Sequence, residues 1–75
     1  MTQSRRLIGL DPGLRNLGWG VIDVVCGKLT HVANGTISSN AKDDLADRLV
    51  QLMHGLEDVV ETHLPHQAAV ENSFV

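Results

Sequence analysis

Apolar residues fall in short runs over the first half of the chain and in a helical stripe over the second. The run from Arg6 to Leu10 is stopped by Asp11-Pro12-Gly13, where proline lacks a donor and glycine tolerates positive φ, so a first strand ends there. Gly18 to Val25 is rich in β-branched residues. Lys28 to Ile37 continues in the same way beyond Cys26-Gly27, which predicts two strands joined by a short glycine turn. Between Asp43 and Leu64, the residues Leu45, Leu49, Leu52, Met53, Leu56, Val59 and Val60 recur at intervals that place them in one stripe on one helix. Asp43 or Asp44 caps its start by accepting backbone N–H bonds, and Pro65 ends it because proline cannot continue the ladder. Gln67 to Val70 then predicts a short strand that ends at Glu71.

This β-β-β-α-β order constrains geometry. Short connections favour an antiparallel meander for the first three strands, whereas a helical crossover returns the fourth strand parallel to a partner in the same sheet. If that partner is the first strand, the carboxyl ends of the two lie together, and the residues there are Asp11 and Glu71. Neighbouring strands stand about 4.8 Å apart, so two such carboxylates can bridge a divalent cation, and without one they repel. Acidic residues at strand ends are also common as solvated loop starters. Each of these two, however, is a single charge at the rim of an apolar run.

Composition narrows the classes. Seventy-five residues make one small domain, which buries only about 60% of its unfolded surface. With 43% hydrophobic and 20% charged residues the chain is globular rather than disordered, and no segment is apolar for long enough to span a bilayer. The basic opening MTQSRR is followed by an apolar stretch that Asp11 and Pro12 interrupt, so it lacks the core of a signal peptide, and a cytoplasmic location is expected. The single Cys26 excludes an internal disulfide and a multi-cysteine zinc site, and is expected to fill space as a small apolar side chain. His31, His54, His63 and His66 lack ligand spacing; the last two straddle Pro65 and read as a polar, solvated helix end. The net charge of −3 has the wrong sign for gripping phosphates, unless a basic surface lies outside these residues.

Two separated segments carry a specific resemblance. IGLDPGLRNLGWGVI, Ile8 to Ile22, is similar to the opening signature of the RuvC family of crossover junction endodeoxyribonucleases, and AVENSF, Ala69 to Phe74, resembles the segment with that family's second acidic residue. Leu17 stands where threonine is common in the family, which removes a local hydrogen bond. The resemblance implies a ribonuclease H-like mixed sheet, with residues 1–75 as the N-terminal part of a single nuclease domain that ends before its C-terminal helices. It also implies resolution of four-way (Holliday) DNA junctions in recombination and repair, by phosphodiester hydrolysis with two Mg²⁺ ions for which Mn²⁺ can substitute. Asp11 and Glu71 match two of the four family carboxylates that hold the metal; the other two belong to a helix this chain lacks, so the chain alone is expected to be inactive. The implied partners are junction DNA, a second copy in a homodimer and a branch-migration complex of the RuvA and RuvB type, with no membrane.

One further residue enters through the same match, and two are read from their own positions in the sequence. Phe74 corresponds to an aromatic that probes unpaired bases near the junction centre, where stacking contributes about 1–3 kcal/mol, although core packing is an ordinary role for a phenylalanine. Arg15, in the loop after Asp11, can pair with phosphate or simply be solvated. Trp19, between two glycines, is read as a core or rim residue. Another nuclease of the same fold is the nearest alternative. An actin-like or sugar-kinase-like ATP-binding domain is more distant, because Pro12 and Leu14 stand where its phosphate-cradling loop favours small hydroxyl residues.

Overall fold

A sheet built from both halves of the chain carries one helix on one face. The computed structural model describes residues 4–13 and 15–70. The strands are β1 (Ser4–Pro12), β2 (Asn16–Val25), β3 (Lys28–Ser38) and β4 (Gln67–Val70), and the helix α1 (Leu45–His63) precedes β4. The sheet order is β3-β2-β1-β4, with β1 antiparallel to β2, β2 antiparallel to β3, and β4 parallel to β1. This is the meander and parallel crossover that the order of elements implied.

β1 runs further than the Asp-Pro-Gly punctuation suggested. Asp11 and Pro12 remain in the strand, opposite Gly18 and Leu17, because a proline at the last strand position gives up no interior ladder bond. Gly13 then turns the chain, donating its N–H to Asn16 O at 2.8 Å. The β2–β3 hairpin closes through Val25 and Lys28 around Cys26 and Gly27, whose φ values are +51° and +77°. Positive φ at both central residues matches the right-handed strand twist. Cys26 is exposed at this turn, and does not fill the core as expected, because the turn lifts it away from both sheet faces.

Side chains alternate along each strand, so Ile8 and Val21, which face each other in register, lie on one side with Leu10, Trp19 and Ile37. Ile8 and Val21 are 1% and 0% exposed, and Ile37 is also buried. α1 covers this side over β3. Gly55 sits where a Cβ would come 2.5 Å from Ile37 Cγ2, so the helix approaches the strand more closely than any side chain there would allow. Asp44 caps the helix by accepting the Asp47 N–H at 3.3 Å, and Leu64 ends it in the left-handed conformation immediately before Pro65. The apolar stripe is only partly used: Leu52, Leu56 and Val59 are half-buried, whereas Leu45, Leu49, Met53 and Val60 are exposed. The stripe is wider than the single line along which the helix meets β3, and among the described residues no second layer covers its outer flank.

On the same side of the sheet, Arg6 forks onto Asp23, with Nε and Nη2 donating to the two carboxylate oxygens at 2.8 and 2.9 Å. These hydrogen bonds from Arg6, with its charge, hold the Asp23 carboxyl below its usual range. A depressed folded value stabilises above the unfolded value of about 3.9 and loses that contribution as pH falls through the folded one. Asp23→Asn should therefore melt below the parent protein at pH 7, with the gap closing towards pH 3. A gap of constant size across that range in thermal melts would refute the assignment.

Candidate functional site

Asp11 stands at the carboxyl end of β1, on the side of the sheet opposite α1. Its neighbours on that side are small: Gly18 lies across from it on β2, with Gly9 and Gly20 paired one step further along the side. A Cβ built at Gly9 or Gly20 would meet nothing within 4 Å, so the surface beside the carboxylate is bare backbone. Together with Ala69 these residues line a shallow open cleft of about 510 Å³. Asp11 itself is exposed, and its carboxylate can receive a ligand without displacing a side chain. Among the described residues no cluster of three or more acidic, histidine or cysteine side chains forms a metal cage. The oxygen donor of Asp11 suits a hard cation such as Mg²⁺, and the glycine floor leaves room for its retained waters.

β4 arrives beside β1 in parallel register, Leu7 opposite Gln67 through Leu10 opposite Val70. The last of these pairs immediately precedes Asp11 and Glu71 in sequence. Glu71 and Phe74 lie outside the described residues. Arg15 is exposed in the loop between β1 and β2.

His63 and His66, read from the sequence as a solvated helix end, are engaged instead. The His63 ring lies 5.5 Å from that of Trp19, centroid to centroid, and its carbonyl accepts from Arg6 Nη1 at 3.0 Å. His66 donates its backbone N–H to Arg6 O at 2.8 Å, and its Nδ1 accepts the Arg6 backbone N–H at 2.9 Å. Their spacing around Pro65 describes only the local chain, whereas the partners lie 57 and 60 residues away. Trp19 is half-buried against Gly35, where a Cβ would come 2.8 Å from its ring, as a rim residue should.

Comparison with known proteins adds the following. A family model described as crossover junction endodeoxyribonuclease RuvC matches residues 7–75. Curated proteins with that description include one from Bartonella quintana (strain Toulouse), 55% identical over 75 residues, and one from Rhizobium etli, 52% identical over 75 residues. Each alignment takes in 100% of this chain and 44% of the relative, so the chain spans less than half the length of the curated relatives it matches. Among solved structures, T. thermophilus RuvC in complex with Holliday junction substrate superimposes with a TM-score of 0.80 at 22% identity, over 95% of this chain and 44% of that one. The Aquifex aeolicus PPX-GPPA enzyme reaches 0.70 at 10% identity, over 91% of this chain and 26% of that one. At such identities the structures speak for the fold, which is ribonuclease H-like. One fold serves unrelated chemistries, so function has to be argued from the site.

Proposed function

Because this chain belongs to the RuvC family of crossover junction endodeoxyribonucleases, we propose that it supplies the N-terminal part, residues 1–75, of a single nuclease domain that resolves four-way DNA junctions. The supporting observation is the parallel pairing of β4 with β1, in which Leu10 opposite Val70 leads directly to Asp11 and Glu71. In this reading Asp11 and Glu71 together hold Mg²⁺, with Mn²⁺ as a substitute. The metal supplies an activated water and charge neutralisation at the phosphate. Asp11 contributes the anionic oxygen that attracts and orients it. The glycine floor formed by Gly9, Gly18 and Gly20 lets a sugar-phosphate backbone approach that carboxylate closely. Arg15, exposed in the adjoining loop, neutralises a neighbouring phosphate, and Phe74 stacks on an unpaired base near the crossover. The protein acts in the cytoplasm in recombination and repair, as a homodimer that works with a branch-migration complex of the RuvA and RuvB type.

Two measurements test this. The full-length protein should introduce paired nicks in a synthetic four-way junction with Mg²⁺ and none with EDTA; failure to cut under any divalent metal would overturn the reading. The isolated 75-residue chain should cut nothing, since two carboxylates do not anchor two ions and its net charge is −3. Specific metal-dependent nicking by that chain would refute the idea that its metal cluster is incomplete.

A further inference from the structure

The passage from α1 to β4, His63-Leu64-Pro65-His66, is tied to a single residue of β1 on the α1 side of the sheet. Arg6 Nη1 donates to His63 O at 3.0 Å, while the Arg6 fork holds both carboxylate oxygens of Asp23 on β2. The Arg6 backbone meets His66 twice. Arg6 O accepts the His66 N–H at 2.8 Å, and the Arg6 N–H donates to Nδ1 of the His66 ring at 2.9 Å.

The last of these bonds depends on a group that gains a proton near neutral pH. An imidazole nitrogen accepts only while it carries no proton, so the bond requires a neutral ring with its proton on Nε2. A second proton, on Nδ1, would turn the acceptor into a donor pointing at another donor. The surroundings give that proton little compensation. The charged and titratable groups around the ring are the Arg6 guanidinium of β1, the Asp23 carboxylate of β2 and the His63 ring of α1, which share one small hollow with it. Arg6 is a cation, and its fork takes both oxygens of Asp23. The Asp23 carboxyl is lowered first by its hydrogen bonds from Arg6 and only last by the charge of His66, so its attraction for an imidazolium is the weakest of these influences.

From this geometry we infer that the His66 ring is an acid-released latch, which ties the α1–β4 connection to Arg6 of β1 while the imidazole is neutral and lets go of the Arg6 N–H when it is protonated. The bond is therefore present above the ordinary imidazole range, centred at about 6.5, and is lost as pH falls through that range. Asp23, held below the usual carboxylate range, keeps its charge across the same window, so the Arg6 fork stays closed while the latch opens. The latch and the charged groups around it lie within residues 6–66, and none of them belongs to the proposed nuclease site.

Amide exchange and ring nitrogen spectra read the two bonded residues themselves, in the 75-residue chain and in the full-length protein side by side. At about pH 8 the ring should show the Nε2–H tautomer, and the Arg6 amide should be protected. At about pH 5 that protection, taken relative to the intrinsic exchange rate at each pH, should fall about tenfold or more, while interior amides of β1 and β2 keep theirs. His66→Asn supplies an oxygen acceptor that does not titrate, and should protect Arg6 at both pH values; His66→Ala should protect it at neither. His63→Phe keeps the carbonyl that Arg6 reaches and a ring against Trp19, and should respond to pH as the parent does. An Nδ1–H tautomer at pH 8, equal protection of Arg6 at both pH values, or loss of the response in His63→Phe would each overturn the latch. So would a response in the 75-residue chain that the full-length protein lacks. The same atoms are read in both lengths of chain, so failure of the shorter one to fold leaves the longer one to decide.

Discussion

Asp11→Asn in the full-length protein lowers junction cleavage by about a hundredfold or more and leaves junction binding nearly intact. Asparagine has the size of aspartate and still offers one oxygen, so the pairing of Asp11 with Gly18 and the turn at Gly13 survive. What disappears is the negative charge at the carboxyl end of β1. Hard cations depend strongly on carboxylate charge, and an ion displaced from its anchor no longer aligns the water it activates. Affinity for DNA comes mainly from basic groups meeting phosphates, which the substitution does not touch; removing a negative charge near the backbone can even tighten binding in metal-free buffer. Gel shifts in EDTA beside cleavage in Mg²⁺ separate the two effects. Cutting at the parental rate would remove Asp11 from the site, and loss of binding together with cutting would assign it a structural role.

The largest expected effect on stability lies three residues back, on the other face of the same strand. Ile8→Ala should destabilise the protein by about 2–5 kcal/mol, because it deletes a branched side chain and leaves a cavity that the strands cannot close. Ile8 is 1% exposed, faces Val21 across β1 and β2, and sits opposite Ala68 of β4. That loss is a large share of the roughly 5–15 kcal/mol that holds an ordinary domain together. Leu49→Ala, on the uncovered flank of α1, should cost far less in the 75-residue chain. Denaturant unfolding of both variants in that chain provides the check. Equal losses at the two positions would mean that the helix flank is covered and that the core is not centred on Ile8 and Val21.

Much of this architecture was legible from short-range pattern. Cys26-Gly27 marked the hairpin, because the backbone of so tight a turn demands positive φ and glycine supplies it cheaply. Asp44 and Pro65 bounded the helix for equally local reasons, one by offering an acceptor and the other by lacking a donor. The crossover rule brings β4 to the sheet in parallel and so points to Asp11 as a strand-end carboxylate.

Where the pattern fell short, the deciding contact was distant in sequence. Periodicity showed that α1 carries an apolar stripe but not which angle of it meets the sheet. The close approach of Gly55 to Ile37 set that angle, and left Leu45, Leu49, Met53 and Val60 outside. Pro12 looked like a stop after Leu10, yet β2 supplied partners that carried β1 two residues further, so Asp11 is held within a strand rather than in a loop. His63 and His66 looked like a polar helix end because their neighbours in sequence are polar or terminating. Only folding brings Arg6 and Trp19 against them. Turns, caps and element order are decided by backbone sterics within a few residues, and these the sequence determined by itself. The angle of the helix, the register of an edge strand and the partners of a histidine depend on side chains that meet only after the chain has closed loops of tens of residues, and these the tertiary structure decided.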